Sequence, residues 1–201
     1  HMPHTTYALF KGIRSHQITS PSVATGTRFG TPNACNLCHL DRTLAWTQDH
    51  LVRWYGVTPV ELPPQETNTA ASLVWMLRGN AAQRAITAWH MGWSPAQQIS
   101  GTNWQAPALA QLLADDYGPV RYVAARALRT LPSFSGFSFD FLAPTNRLHE
   151  SRNLALQRWQ DQPPGPGNRP ELLLDPAGRI RQDRIAELLQ QQDRRSVTIQ
   201  E

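Results

Sequence analysis

The pentapeptide Cys35-Asn36-Leu37-Cys38-His39 constrains this 201-residue chain more than any other feature, because it holds both cysteines of the sequence three residues apart and directly before a histidine. C-x-x-C-H is the spacing in which two thiols add to the vinyl groups of a haem and the adjacent imidazole becomes the proximal ligand of the iron. A redox disulfide prefers a strand-to-helix setting, whereas this pair follows a loop containing Gly30 and Pro32. A zinc site would need a second Cys pair, and the sequence has only these two cysteines. The motif therefore predicts haem c bound covalently by Cys35 and Cys38 with iron on His39, and attachment of this kind implies an oxidising, extracytoplasmic (periplasmic or extracellular) location.

The formal charge is +4, with Lys and Arg dispersed along the chain, which gives a nucleic-acid reading little support. Two haem propionates would lower it to about +2, leaving a mildly basic surface able to steer an acidic redox partner. No apolar run approaches the roughly 20 residues that a membrane span requires. His1-Met2-Pro3 opens without the basic and apolar segments of a secretion signal, as expected of a processed or trimmed chain.

Turn-forming residues dominate positions 1–34 and predict a mostly irregular arm. A helix is expected from Asp41, its cap, with Leu44, Thr47, Leu51, Trp54 and Tyr55 on one side and Gly56 closing it. The Pro-rich stretch 58–64 then marks a boundary. Beyond it, helical periodicity pairs 70–78 with 81–92 and 106–114 with 119–131, followed by a helix near 145–159. The segments Gln83-Arg84-Ala85-Ile86-Thr87-Ala88 and Val120-Arg121-Tyr122-Val123-Ala124-Ala125 are weakly similar at an offset of 37 residues, near the period of two-helix solenoids. Asp115, Pro119 and Arg121 resemble the turn and the cross-tying arginine of a HEAT repeat. A Pro/Gly link at 163–167 leads to a turn at Asp175-Pro176-Ala177-Gly178 and a helix over 182–192. The expected fold is all-α: a haem unit (1–57) on a HEAT-like repeat domain (65–162), then a link and C-terminal helix (163–201).

The iron has one further axial position. His16 lies on the arm, where an unpatterned histidine is usually a surface residue. His4 shares that arm, His50 follows the motif on its helix beside Trp46 and Trp54, and His90 sits at a helix C-terminus that favours a histidine on dipole grounds alone. His149 reads as surface, Met76 and Met91 as core, and the tryptophans as core or haem-pocket packing. A histidine in the sixth position makes a low-spin electron carrier. An exchangeable position suits a peroxidase, a small-molecule reductase or a sensor, with Arg14 or His16 as distal polar groups. A third reading is an interaction module of helical repeats in which the haem is mainly structural.

Met2-Pro3, Thr6-Tyr7, Arg14 with His16, Thr31-Pro32-Asn33-Ala34-Cys35, Trp46 and Trp54-Tyr55-Gly56 resemble a family of multihaem c-type cytochromes with helical-repeat tails. The likeness extends more loosely to Trp93, to the stretch from Tyr117 to Leu128, and to the tail from Asp193. It makes His16 the favoured second ligand of a bis-histidine low-spin centre in an electron-transfer protein, with redox partner proteins or further haem modules as neighbours, and the residues themselves offer no persuasive catalytic group. If His1 is native, it matches the ligand of an upstream haem that His16 would then serve. If His1-Met2 is a cloning remainder, one haem stands alone.

Overall fold

A computed structural model describes residues 2–8, 10–163 and 167–195; His1, part of the Pro/Gly link and the tail from 196 lie outside the described residues. The chain is mostly helical, with a small N-terminal hairpin. That hairpin corrects the all-α expectation and the reading of the arm as irregular. Strands β1 (Thr6–Ala8) and β2 (Lys11–Ile13) pair antiparallel with Tyr7 opposite Gly12, and helix α1 (Val23–Phe29) follows. Three-residue strands are too short to show a two-residue period, so the hairpin was not legible locally. Its stability comes from docking instead. A Cβ on Gly12 would stand 2.8 Å from Trp89 and 2.9 Å from Ile86, so only glycine lets the strand approach this closely. Ser22 caps α1, its Oγ accepting from the Thr25 amide, and Gly30 closes it at φ 66°.

The remaining helices are α2 (Leu44–Tyr55), α3 (Pro64–Asn68), α4 (Ala71–Leu77), α5 (Ala81–Met91), α6 (Ser94–Ser100), α7 (Ala106–Leu112), α8 (Gly118–Leu128), α9 (Thr145–Gln160) and α10 (Gln182–Gln190). Those expected from periodicity are present, and α1, α3 and α6 are additional short helices. The cap of α2 is Thr43, whose Oγ1 accepts from Trp46 N, and not Asp41. Asp41 turns inward to Arg169 at 3.0 Å and Arg42 at 3.4 Å. Leu44, Thr47 and Leu51 are buried as expected, but Trp54 and Tyr55, in the last turn of α2 before its cap Gly56, are exposed.

Helix α5 packs along α8, and α7 along α8 and α9, so the two self-similar segments are neighbours in a stack. Their equivalent arginines reach forward in the same sense. Arg84 grips Asp115 through two bonds of 2.7 and 3.0 Å and also donates to the carbonyls of Gly79 and Asp193. Arg121 donates to the carbonyls of Phe141 and Asp115. The Arg84–Asp115 pair is buried, so each charge depends on the other. The tail returns to the motif side of the molecule: Leu172, Leu173 and Leu174 are buried, Ala70 N donates to Glu171 O, and α10 lies on α4. Among the described residues no helix is long and apolar enough to cross a membrane.

Arg84→Met strands the Asp115 carboxylate and is expected to cost about 3–5 kcal/mol in urea unfolding. Adding Asp115→Leu is expected to recover much of that loss, which a purely packing role for Arg84 would not allow.

Candidate functional site

The motif forms a single helical turn. Leu37 N donates to Asn33 O at 3.1 Å, Cys38 N to Cys35 O at 3.1 Å and His39 N to Cys35 O at 2.8 Å. Residues three and four apart on such a turn share a face, so Cys35, Cys38 and His39 stand together. They are partly exposed, whereas Asn36 and Leu37 between them are fully buried.

Buried polar bonds hold that inner face. Asn36 Nδ2 donates to the carbonyls of Arg42 and Thr43 at 3.0 and 3.2 Å, and Asn36 Oδ1 accepts from Thr47 Oγ1 at 2.7 Å. Ser100 Oγ accepts from Leu40 N and donates to Cys38 O, both at 2.9 Å, and Ser72 Oγ donates to Leu40 O. Asn33 Oδ1 accepts from Cys35 N at 3.0 Å and shapes the entry to the turn. None of these roles was found from sequence. The only available signal was an Asn inside the motif, which becomes informative once Thr47 faces it.

Both thiols are free, and burial pushes each above the ordinary thiol range. They are therefore protonated at neutral pH and unlike the low-pKa nucleophile of a dithiol oxidoreductase. Burial likewise holds the His39 imidazole below its ordinary value, with Arg42 and His50 adding to the effect and Asp41 opposing it. Its ring is neutral at pH 7 and able to ligate. Among the described residues no three His, Cys, Asp or Glu side chains gather as a metal-binding group. A porphyrin brings four nitrogens of its own, so two thiols and one imidazole on a common face fit a covalent haem where they would not complete a zinc site.

The other histidines fall into three settings. His16 is exposed between β2 and α1, and no hydrogen bond or ring contact joins it to His39 among the described residues. His50 lies on α2, its Nδ1 donating to Trp46 O at 2.8 Å and its ring 4.2 Å from the Trp46 ring, which is in turn 4.9 Å from His39. His4 and His90 meet each other at 5.8 Å, with Trp93 against both. His90 is buried, donates from Nε2 to His4 O at 2.7 Å and also lies against the Leu37 backbone of the motif, while among the described residues His4 Nδ1 and Trp89 Nε1 have no hydrogen-bond partner. A cavity of about 360 Å³ is lined by Asn33, Leu44, Glu66, Trp75 and Arg78 among others, but by neither thiol nor His39. No family model, curated protein or solved structure matches the chain.

Asn36→Ala removes three buried bonds and is expected to destabilise the chain by about 1–3 kcal/mol, read as a lower urea midpoint. Burial drives the His90 pKa down from 6.5 to about 4. The unfolded chain then binds the proton more readily, so the stability that His90 contributes is complete above pH 6.5 and is lost as pH falls toward 4. Unfolding free energy is expected to drop by about 3 kcal/mol across that window, and His90→Gln is expected to flatten it. An unchanged slope in the variant would remove His90 as the cause.

Proposed function

We propose that this chain is a c-type cytochrome that carries one covalent haem and transfers electrons. The observation that carries the reading is the common outward face of Cys35, Cys38 and His39 on a turn whose inner residues, Asn36 and Leu37, are fully buried. Two neutral thiols are available for thioether bonds and a neutral imidazole for iron, at the spacing the porphyrin edge requires. The haem supplies a one-electron ferric/ferrous couple. The protein's part is to hold ligand and macrocycle rigidly, which the Asn36 and Ser100 bonds do for the backbone on either side of Leu37 and Cys38.

His16 is the proposed second ligand. His90 is committed to the His4 carbonyl, and Trp46 stands between His50 and His39, whereas the His16 ring is exposed on a stretch without regular structure. The likeness to multihaem cytochromes with helical tails favours the same assignment. The equivalent arginines Arg84 and Arg121 support a HEAT-like stack behind the haem unit, suited to receiving redox partners or further haem modules, and covalent haem supports an extracytoplasmic location. The separation of His16 from His39 also leaves room for a second reading, a haem with an exchangeable sixth position that binds or reduces small ligands.

Absorption spectra of ferric and ferrous protein with and without carbon monoxide decide between them. A low-spin centre inert to carbon monoxide, turned high-spin and reactive by His16→Ala, is the expected result. Ready carbon monoxide binding by the unaltered protein replaces electron transfer with ligand chemistry. Haem that washes out in acidified acetone overturns covalent attachment altogether.

A further inference from the structure

His90 stands where the two halves of the proposed haem site meet. Its ring is fully buried in the last turn of α5. Nε2 donates at 2.7 Å to the carbonyl of His4, 86 residues away at the root of the hairpin, and the same ring lies against the backbone of Leu37 in the middle of the motif. One imidazole therefore touches both the arm that carries His16 and the turn that carries His39.

The arm is held firmly up to His16. The His4 ring stands edge-on to Trp89 and Trp93 at 5.8 and 5.5 Å, and Gly12 lies so close to α5 that a Cβ there would meet Trp89 at 2.8 Å. Tyr7 bonds Tyr117 just before α8, and Arg14 Nε donates to Met2 O at 2.9 Å across the open end of the hairpin. Two residues past Arg14 comes His16. Beyond it the chain is caught again at Val23 of α1, which shares a small core with Leu37, Leu44 and Leu51. The span that bears His16 thus runs between two fixed ends, and Leu37 is the reference for both: one end through His90, the other through Val23. A ligand on a span fixed at both ends has a higher effective concentration at its target than one on an arm fixed at a single end.

Resting on the cytochrome reading with His16 as second ligand, we propose that His90 is a positioning residue whose bond to the His4 carbonyl holds the hairpin end of that span in place over the motif turn and so keeps His16 on the iron. His90 stays bonded to His4 and is not itself a ligand. An apolar side chain of the same size would fill the space at the end of α5, but it has no donor for the His4 carbonyl and would not fix where the hairpin sits.

The test uses the haem-loaded protein. Carbon monoxide reaches ferrous iron only while the second ligand is off, so its binding rate reads how firmly His16 is held. His90→Asn, whose shorter amide does not reach the His4 carbonyl, is expected to raise that rate about fivefold with the amount of covalent haem unchanged. His90→Gln, whose amide nitrogen takes the place of Nε2, is expected to restore a rate close to that of the unaltered protein. Gly12→Ala pushes the hairpin away from Trp89 without altering His90 and is expected to raise the rate as His90→Asn does. Leu148→Ala opens a cavity on α9 and controls for simple loss of stability, with no change in rate expected. No rise in His90→Asn, an equal rise in His90→Gln, or an equal rise in Leu148→Ala overturns the positioning role and leaves the cytochrome reading standing. Ready carbon monoxide binding by the unaltered protein, or a haem spectrum that His16→Ala does not change, overturns instead the ligand assignment beneath the proposal.

Discussion

Leu40 is where the motif turn is fastened to the rest of the molecule. Its amide donates to Ser100 at the end of α6, its carbonyl accepts from Ser72 at the start of α4, and its side chain belongs to the main core with Met76, Leu109 and Leu128. Because Ser100 also takes the Cys38 carbonyl, one hydroxyl fixes the backbone on both sides of His39. Fully buried backbone groups need partners, and here those partners come from helices about 30 and 60 residues away. The direction in which the thiols and imidazole face is thus a property of the helical stack as much as of the pentapeptide.

The stack has a comparable dependence on charge. Arg84 is buried with three partners, the Asp115 carboxylate and the carbonyls of Gly79 and Asp193, so it joins α5 to the turn before α8 and to the returning tail. A buried ion pair of this kind adds little net stability over an apolar replacement, but it allows few alternative packings because either charge alone is costly. Arg121, one repeat on, ends on carbonyls and on no carboxylate among the described residues, so there the second copy ties its neighbour through backbone dipoles.

How much of this was legible depended on the range of the interaction. The helices α4, α5, α7, α8, α9 and α10 and the turn at Asp175 follow from local periodicity and turn chemistry, and the sequence reading placed them to within a few residues. The cap of α2 was misplaced by two residues because Asp41 has a better partner, Arg169, 128 residues away in sequence. The hairpin escaped because its three-residue strands are held by α5 and not by their own pattern. At the site, the spacing of Cys35, Cys38 and His39 was fully visible. The bonds of Asn36, Ser72 and Ser100 were not, since serine and asparagine carry no periodic signature and acquire meaning only from what folds against them.

The tryptophans show the same limit from the other side. Read as core or haem-pocket residues, they divide in the folded chain: Trp75, Trp104 and Trp159 are buried, Trp89 and Trp93 wall in the His4–His90 pair, and Trp46 and Trp54 line the outward stripe of α2. Helical spacing alone cannot make that division, because positions 44, 47 and 51 of α2 already supply its buried face and positions 46, 50 and 54 form an aromatic stripe of their own. A helix with two ordered stripes has more pattern than burial requires. The second stripe begins at a ring 4.9 Å from the motif histidine and ends in solvent, so packing among the described residues covers its inner half and leaves Trp54 exposed.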